Sequence, residues 1–161
     1  SKRGTLAMIV LILPFLIMDA SNYTLMTPKG VTYAPYGSFA KRRETWGDVT
    51  RVETGCGSTG EHSSNLRYDV FFKDGTDVDL LSVETMHDPR TMAEKVKAIN
   101  EVNAILDPMH VPIPLAVQRF GVGAGRKLAD ADCFDNLKQN FPEDYAQMVA
   151  ALKLEKYQKA Q

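Results

Sequence analysis

Few residues of this chain have types and spacings that do chemistry. The densest basic cluster is Lys41-Arg42-Arg43. Near a strand opening, three adjacent cations suit anionic lipid headgroups, each charge contributing about 1 kcal/mol close to the membrane surface. Strand alternation sends Arg42 to the face opposite its two neighbours, and a charged strand is also an ordinary protection for a sheet edge. The run Gly121-Val-Gly-Ala-Gly-Arg-Lys127 invites comparison with a phosphate cradle. A P-loop needs four residues between its first glycine and Gly-Lys-Ser/Thr, and Leu128 stands where the hydroxyl belongs. The dinucleotide pattern G-x-G-x-x-G also fails, because the third glycine comes one residue early. The run reads as a link before a helix.

Asp74, Asp77 and Asp79 cluster at a hairpin, but a calcium loop needs alternating oxygen ligands and a closing glutamate. They read as turn and solvent-face residues. His62, His87 and His110 have no metal-ligand spacing, so neither a metal nor a cofactor is expected. Ser63 and Ser64 lack the G-x-S-x-G surroundings of a nucleophile elbow. No nucleophile or acid–base pair is legible, and the chain reads as a non-enzyme. Cys56 and Cys133 form no C-x-x-C motif. Two independent, partly buried thiols are the expectation, with pairing left open for an oxidising compartment.

The elements that carry these residues follow from length and pattern. With 161 residues there is room for one modest domain plus appendages. A net charge of -1 gives no overall attraction to nucleic acid, so no such partner is expected. The uncharged run Leu6 to Met18 follows Lys2 and Arg3 and precedes Asp19. Counted from Gly4 to Tyr23 it reaches the roughly 20 residues that span a bilayer core. Residues 1–22 are therefore expected to hold a transmembrane helix, making the protein single-pass and the lipid bilayer its first partner.

Short strands are expected next: Tyr23–Met26, Val31–Tyr33, Phe39–Trp46, Val49–Thr54, Leu66–Phe72 and Asp77–Leu80. Thr27-Pro-Lys-Gly30 suits a type I turn, and Lys73-Asp-Gly-Thr76 suits a two-residue primed hairpin. Gly55 to Ser64 reads as a loop. Tyr68, Val70 and Phe72 should share one face, with Val78 and Leu80 inward. A helix follows, with Asp88 as N-cap, Pro89 in its first turn and Pro108 as its stop. Its stripe is Met92, Val96, Ile99, Val102 and Leu106. Trp46 is expected to be buried near Met92, Val96 and Ile99, the structural core. Helices from about Arg126 to Asn140 and from Pro142 to Tyr157 complete the chain, the second striped by Tyr145, Met148, Val149 and Leu152.

About six strands and a closing helix resemble the pleckstrin-homology architecture. Ser21-Asn-Tyr-Thr24, Gly30-Val-Thr-Tyr33, Lys41-Arg-Arg43 leading into Trp46-Gly-Asp-Val49, and Phe71-Phe-Lys-Asp-Gly75 carry the likeness. Residues 19–107 resemble bacterial membrane-anchored pleckstrin-homology-like domains, whose Trp-x-Asp-Ile/Val step is matched by Trp46, Asp48 and Val49.

The resemblance implies an α+β fold. A transmembrane helix at 1–22 precedes a small antiparallel β-sandwich or barrel with its capping helix at 23–107, and a connector and helical tail occupy 108–161. The expected function is a non-catalytic, membrane-anchored interaction or structural module, an accessory subunit among other membrane-protein subunits. The alternative is an anionic lipid-headgroup-binding module using Lys41, Arg42 and Arg43, and an enzyme without a readable site is third. Lys2 and Arg3 before the span put the chain's start in the cytoplasm and the soluble domain outside, in the periplasm of a bacterium. Lys29 and the basic cluster pull the other way.

Overall fold

The computed structural model describes residues 24–34, 40–60, 63–81, 91–117 and 124–158. The apolar run at 4–22 lies outside them, as do His62, His87, Asp88, Pro89 and the first glycines of the 121–127 run. Among the described residues no helix is long and apolar enough to cross a membrane. The architecture is mixed α+β, with two small antiparallel sheets and several helices. The described residues fall into two compact units, one containing 24–46 and the other 47–81 and 91–158.

The first unit holds β1 (Thr24–Thr27), β2 (Gly30–Tyr33) and β3 (Arg42–Thr45) in the order β1-β2-β3. Pro28 and Lys29 turn β1 into β2, with Thr27 facing Gly30 across the pair. Gly30 is demanded by close approach, since a Cβ there would stand 1.9 Å from the Glu44 carbonyl oxygen. β3 begins at Arg42, later than Phe39, and a single helical turn, Trp46–Asp48, ends it. Trp46 is buried and its indole N–H donates to the Thr27 carbonyl over 2.8 Å.

The second unit is built on β4 (Val49–Gly60), β5 (Ser63–Phe72) and β6 (Asp77–Asp79), in that spatial order. The expected loop at 55–64 is instead the far half of a long hairpin, with Gly55 opposite Arg67 and Gly57 opposite Asn65. Its glycines are there for closeness. A Cβ at Gly55 would meet the Leu128 Cβ at 2.7 Å, and one at Gly57 would meet Leu128 Cδ2 at 2.9 Å. The β5–β6 connection also differs from the two-residue primed turn. Phe72 accepts from the Gly75 amide and donates to the Thr76 carbonyl, closing a three-residue loop in which Gly75 alone takes positive φ, 87°. Asp74 Oδ1 secures the loop by accepting from the Thr76 amide at 2.9 Å.

The outer edge of β4 is covered by two extended segments. Val52 and Thr54 donate to the Pro112 and Pro114 carbonyls, and Cys56 donates to Leu128 while accepting from Asp130. Residues 112–117 and 128–130 thus line the edge of β4, and the second of these segments decides where the next helix can start. α2 (Ala131–Asn140) begins five residues after Arg126, because Lys127 bridges to Val117 and 128–130 are engaged on β4.

α1 (Met92–Leu106) starts later than Asp88 and Pro89 suggested. A capping box sets its first turn: the Glu94 amide donates to the Thr91 hydroxyl and the Thr91 amide donates to the Glu94 carboxylate. The helix ends at Leu106, as Pro108 requires, and passes into the short turn Asp107–Met109. The last helical stretch is broken in two, α3 (Tyr145–Ala151) and α4 (Glu155–Gln158). Between them Lys153 takes φ 55°, Leu154 donates to the Val149 carbonyl and Lys153 to that of Ala150. That is a Schellman ending built on lysine where glycine is usual, which is why sequence gives little warning of it.

Cys56 and Cys133 are joined in a disulfide, their Cα atoms 5.7 Å apart. This corrects the expectation of independent thiols. Both are fully buried, so β4 and α2 are linked inside the core of the second unit.

Candidate functional site

Two faces of the β4–β5–β6 sheet have opposite characters. On one, Val52, Val70 and Val78 lie side by side, followed by Thr54 and Tyr68, and all are buried. The next row on the other face is acidic: Glu53 lies opposite Asp69, and Asp69 opposite Asp79. Three carboxylates in a line invite a catalytic or metal reading, so their partners decide the matter. Arg51 Nε stands 2.9 Å from Glu53 Oε1 and the Arg51 guanidinium lies 3.7 Å above the Phe71 ring centre. Arg67 Nε is 3.5 Å from Asp69 Oδ2, an ion pair with no directed hydrogen bond from that nitrogen. Asp79 Oδ1 accepts from the Leu81 amide at 2.9 Å and the Tyr68 amide at 3.4 Å. Asp79 is therefore a clamp on the end of β6 and not a solvent-face residue. Glu53 and Asp69 each face an arginine and Asp79 is held by two backbone amides, and among the described residues no group of three His, Cys, Asp or Glu side chains is placed to hold a metal ion.

The buried polar centre lies on the apolar side. The Tyr68 hydroxyl donates to Asn103 Oδ1 at 2.7 Å, and Asn103 Nδ2 donates to the Ala151 carbonyl at 2.8 Å. One chain of hydrogen bonds thereby joins β5, α1 and α3. Burial pushes the Tyr68 phenol above its ordinary range, with the Asp107 carboxylate adding to the shift. A phenol held neutral in this way is a poor acid or base, and it acts as a fixed donor. Asn103 was absent from the expected stripe. The signal for it was present, because position 103 is four after Ile99 and three before Leu106, on the buried side of α1.

No protein-family model, curated protein or solved structure matches this chain.

The residues singled out from sequence separate between the units. Lys41, Arg42 and Arg43 are all exposed in the first, where Trp46 is buried. Val96 and Ile99 are buried in the second, while Met92 at the helix start is only half-buried. The exposed side of α1 forms a shallow, open depression with α3, lined by Ala93, Lys97, Asn100, Glu101, Ala104 and Gln147 beside Val96. Both cysteines are in the disulfide, so neither offers a nucleophile.

Proposed function

We propose that this protein is a non-catalytic interaction module of an oxidising, extracytoplasmic compartment, held at the membrane by its apolar segment at 4–22 and serving as an accessory subunit of a larger membrane complex. The Cys56–Cys133 disulfide carries the reading. Such bonds persist where thiols are not kept reduced, and a fully buried one linking β4 to α2 is part of the fold. The disulfide bears on an orientation that charge alone leaves balanced. Lys2 and Arg3 before the apolar run favour a cytoplasmic start, while Lys29 and the cluster Lys41 to Arg43 oppose it. Oxidation favours the outward domain. Two three-stranded antiparallel sheets preceding a 15-residue helix support the finer proposal of a pleckstrin-homology-like domain.

The paired acids on the sheet and the neutral Tyr68 support a structural role for the groups that otherwise resemble catalytic residues. Membranes washed with alkaline carbonate should keep the protein in the pellet, and protease added to intact spheroplasts should digest its soluble part. Release by carbonate contradicts the anchor. Protection until the membrane is broken contradicts the outward orientation. Cross-linking in native membranes before purification then identifies the partner subunits, and recovery of the chain alone contradicts the accessory role.

A further inference from the structure

We infer that one face of the β1–β2–β3 sheet is a membrane-contact surface, on which Leu25 enters the headgroup region of an anionic phospholipid bilayer and Arg43 and Lys41 meet its phosphates. The inference rests on the reading of 4–22 as the membrane anchor and adds the surface that the anchor brings to the bilayer.

Register defines the face. Leu25 lies opposite Thr32 and Thr32 opposite Arg43, so the three form one row across the sheet. The neighbouring rows of the opposite face contain Val31 and Tyr33, 0% and 8% exposed. Arg42 and Glu44 pair with Tyr33 and Val31 and therefore belong to that opposite face. The basic cluster is thus divided, and Arg43 stands with the exposed leucine. Lys41, one residue before β3, is exposed as well.

Three observations point to a bilayer as the occupant. Leu25 is 55% exposed, the most exposed large hydrophobic side chain among the described residues. It comes three residues after position 22, about 10 Å of extended chain, so an anchored run keeps it within reach of the interface. The charge is complementary as well. The described residues of the first unit include Lys29, Lys41, Arg42 and Arg43 against the single acid Glu44, four cations to one anion, in a chain whose net charge is -1. That acid lies on the other face. Apolar insertion flanked by cations is how peripheral surfaces hold anionic membranes.

The test uses the full chain in vesicles of phosphatidylcholine with and without phosphatidylglycerol. Leu25→Cys supplies a single reactive thiol for a nitroxide label, because both native cysteines are bonded to each other. The label should gain access to dissolved oxygen and lose access to a water-soluble nickel complex when the vesicles are anionic. Lys41→Gln and Arg43→Gln should each lower the docked-to-free ratio about fivefold. Arg42→Gln, on the opposite face, should leave the ratio less affected than Arg43→Gln. If Leu25→Cys does not fold, Thr27→Cys on the same face carries the label.

Equal nickel access in anionic vesicles, zwitterionic vesicles and detergent would overturn the inference while leaving the anchor intact. Loss of access to both reagents only at high protein-to-lipid ratio would assign the face to a second copy of the chain and overturn it also. Release of the protein from the vesicles by carbonate would remove the anchor and this inference together.

Discussion

Tyr68 shows how a single buried group can be both structural and measurable. Its phenol is ionised more easily in the unfolded chain than in the folded one, because burial first and Asp107 second disfavour the phenolate. The folded protein therefore retains a proton that the unfolded chain gives up above about pH 10. The stability this provides is complete below that pH and falls by up to about 1.4 kcal/mol per pH unit above it. Tyr68→Phe should cost about 1–3 kcal/mol near neutrality by leaving Asn103 Oδ1 without its donor. It should also remove this alkaline loss, so denaturant titrations from pH 8 to pH 11 should show the two proteins converging. A constant difference would contradict the account. Much at this scale is legible from sequence, since alternation alone puts Tyr68, Val70, Phe72, Val78 and Leu80 inside. Asp79 was misjudged because its role depends on the amides of Tyr68 and Leu81 at the sheet's end, which no local pattern displays.

Among the elements, existence was easier to read than extent. The six strands and the long helix follow from alternation, turns and the Pro108 stop. The second half of β4 does not, since Gly55 and Gly57 carry loop statistics while their reason for being small is Leu128, more than 70 residues away in the chain. Gly55→Ala is the corresponding test. With Leu128 Cβ at 2.7 Å and its carbonyl oxygen at 3.0 Å, the added methyl should cost about 1–3 kcal/mol. Thermal denaturation measures it, and a loss within about 0.5 kcal/mol, as at an ordinary surface site, would show that the 128 segment does not press on β4. The start of α2 escaped for the same non-local reason. The start of α1 is set by Thr91 and Glu94, a capping box that the reading from Asp88 and Pro89 did not include.

At the scale of the whole molecule, the disulfide is what local reading could least supply. Two cysteines separated by 77 positions, without a motif, carry no sign of whether they meet. Their meeting depends on β4 being long enough to include Cys56 and on the 128–130 segment leading into α2 beside it. The closed loop is large, and the chain-entropy relation assigns it about 4.5 kcal/mol of stabilisation. Cys133→Ser should therefore lower stability by several kcal/mol in urea titrations, a large part of the roughly 5–15 kcal/mol typical of a domain. The loss should match that of reducing the natural protein, because both remove the same bond. A variant as stable as the oxidised protein would mean that β4 and α2 hold together without it.

The most direct measurement of the central claim is the redox state of this pair in the protein's own cells. Acid quenching, denaturation and alkylation without reductant, followed by intact-mass analysis, count the free thiols. The account predicts no alkylation without reductant and two adducts after reduction, as expected for a domain exposed to an oxidising compartment. Two adducts before reduction would place the chain among reduced proteins and contradict both the outward orientation and the role given to the disulfide.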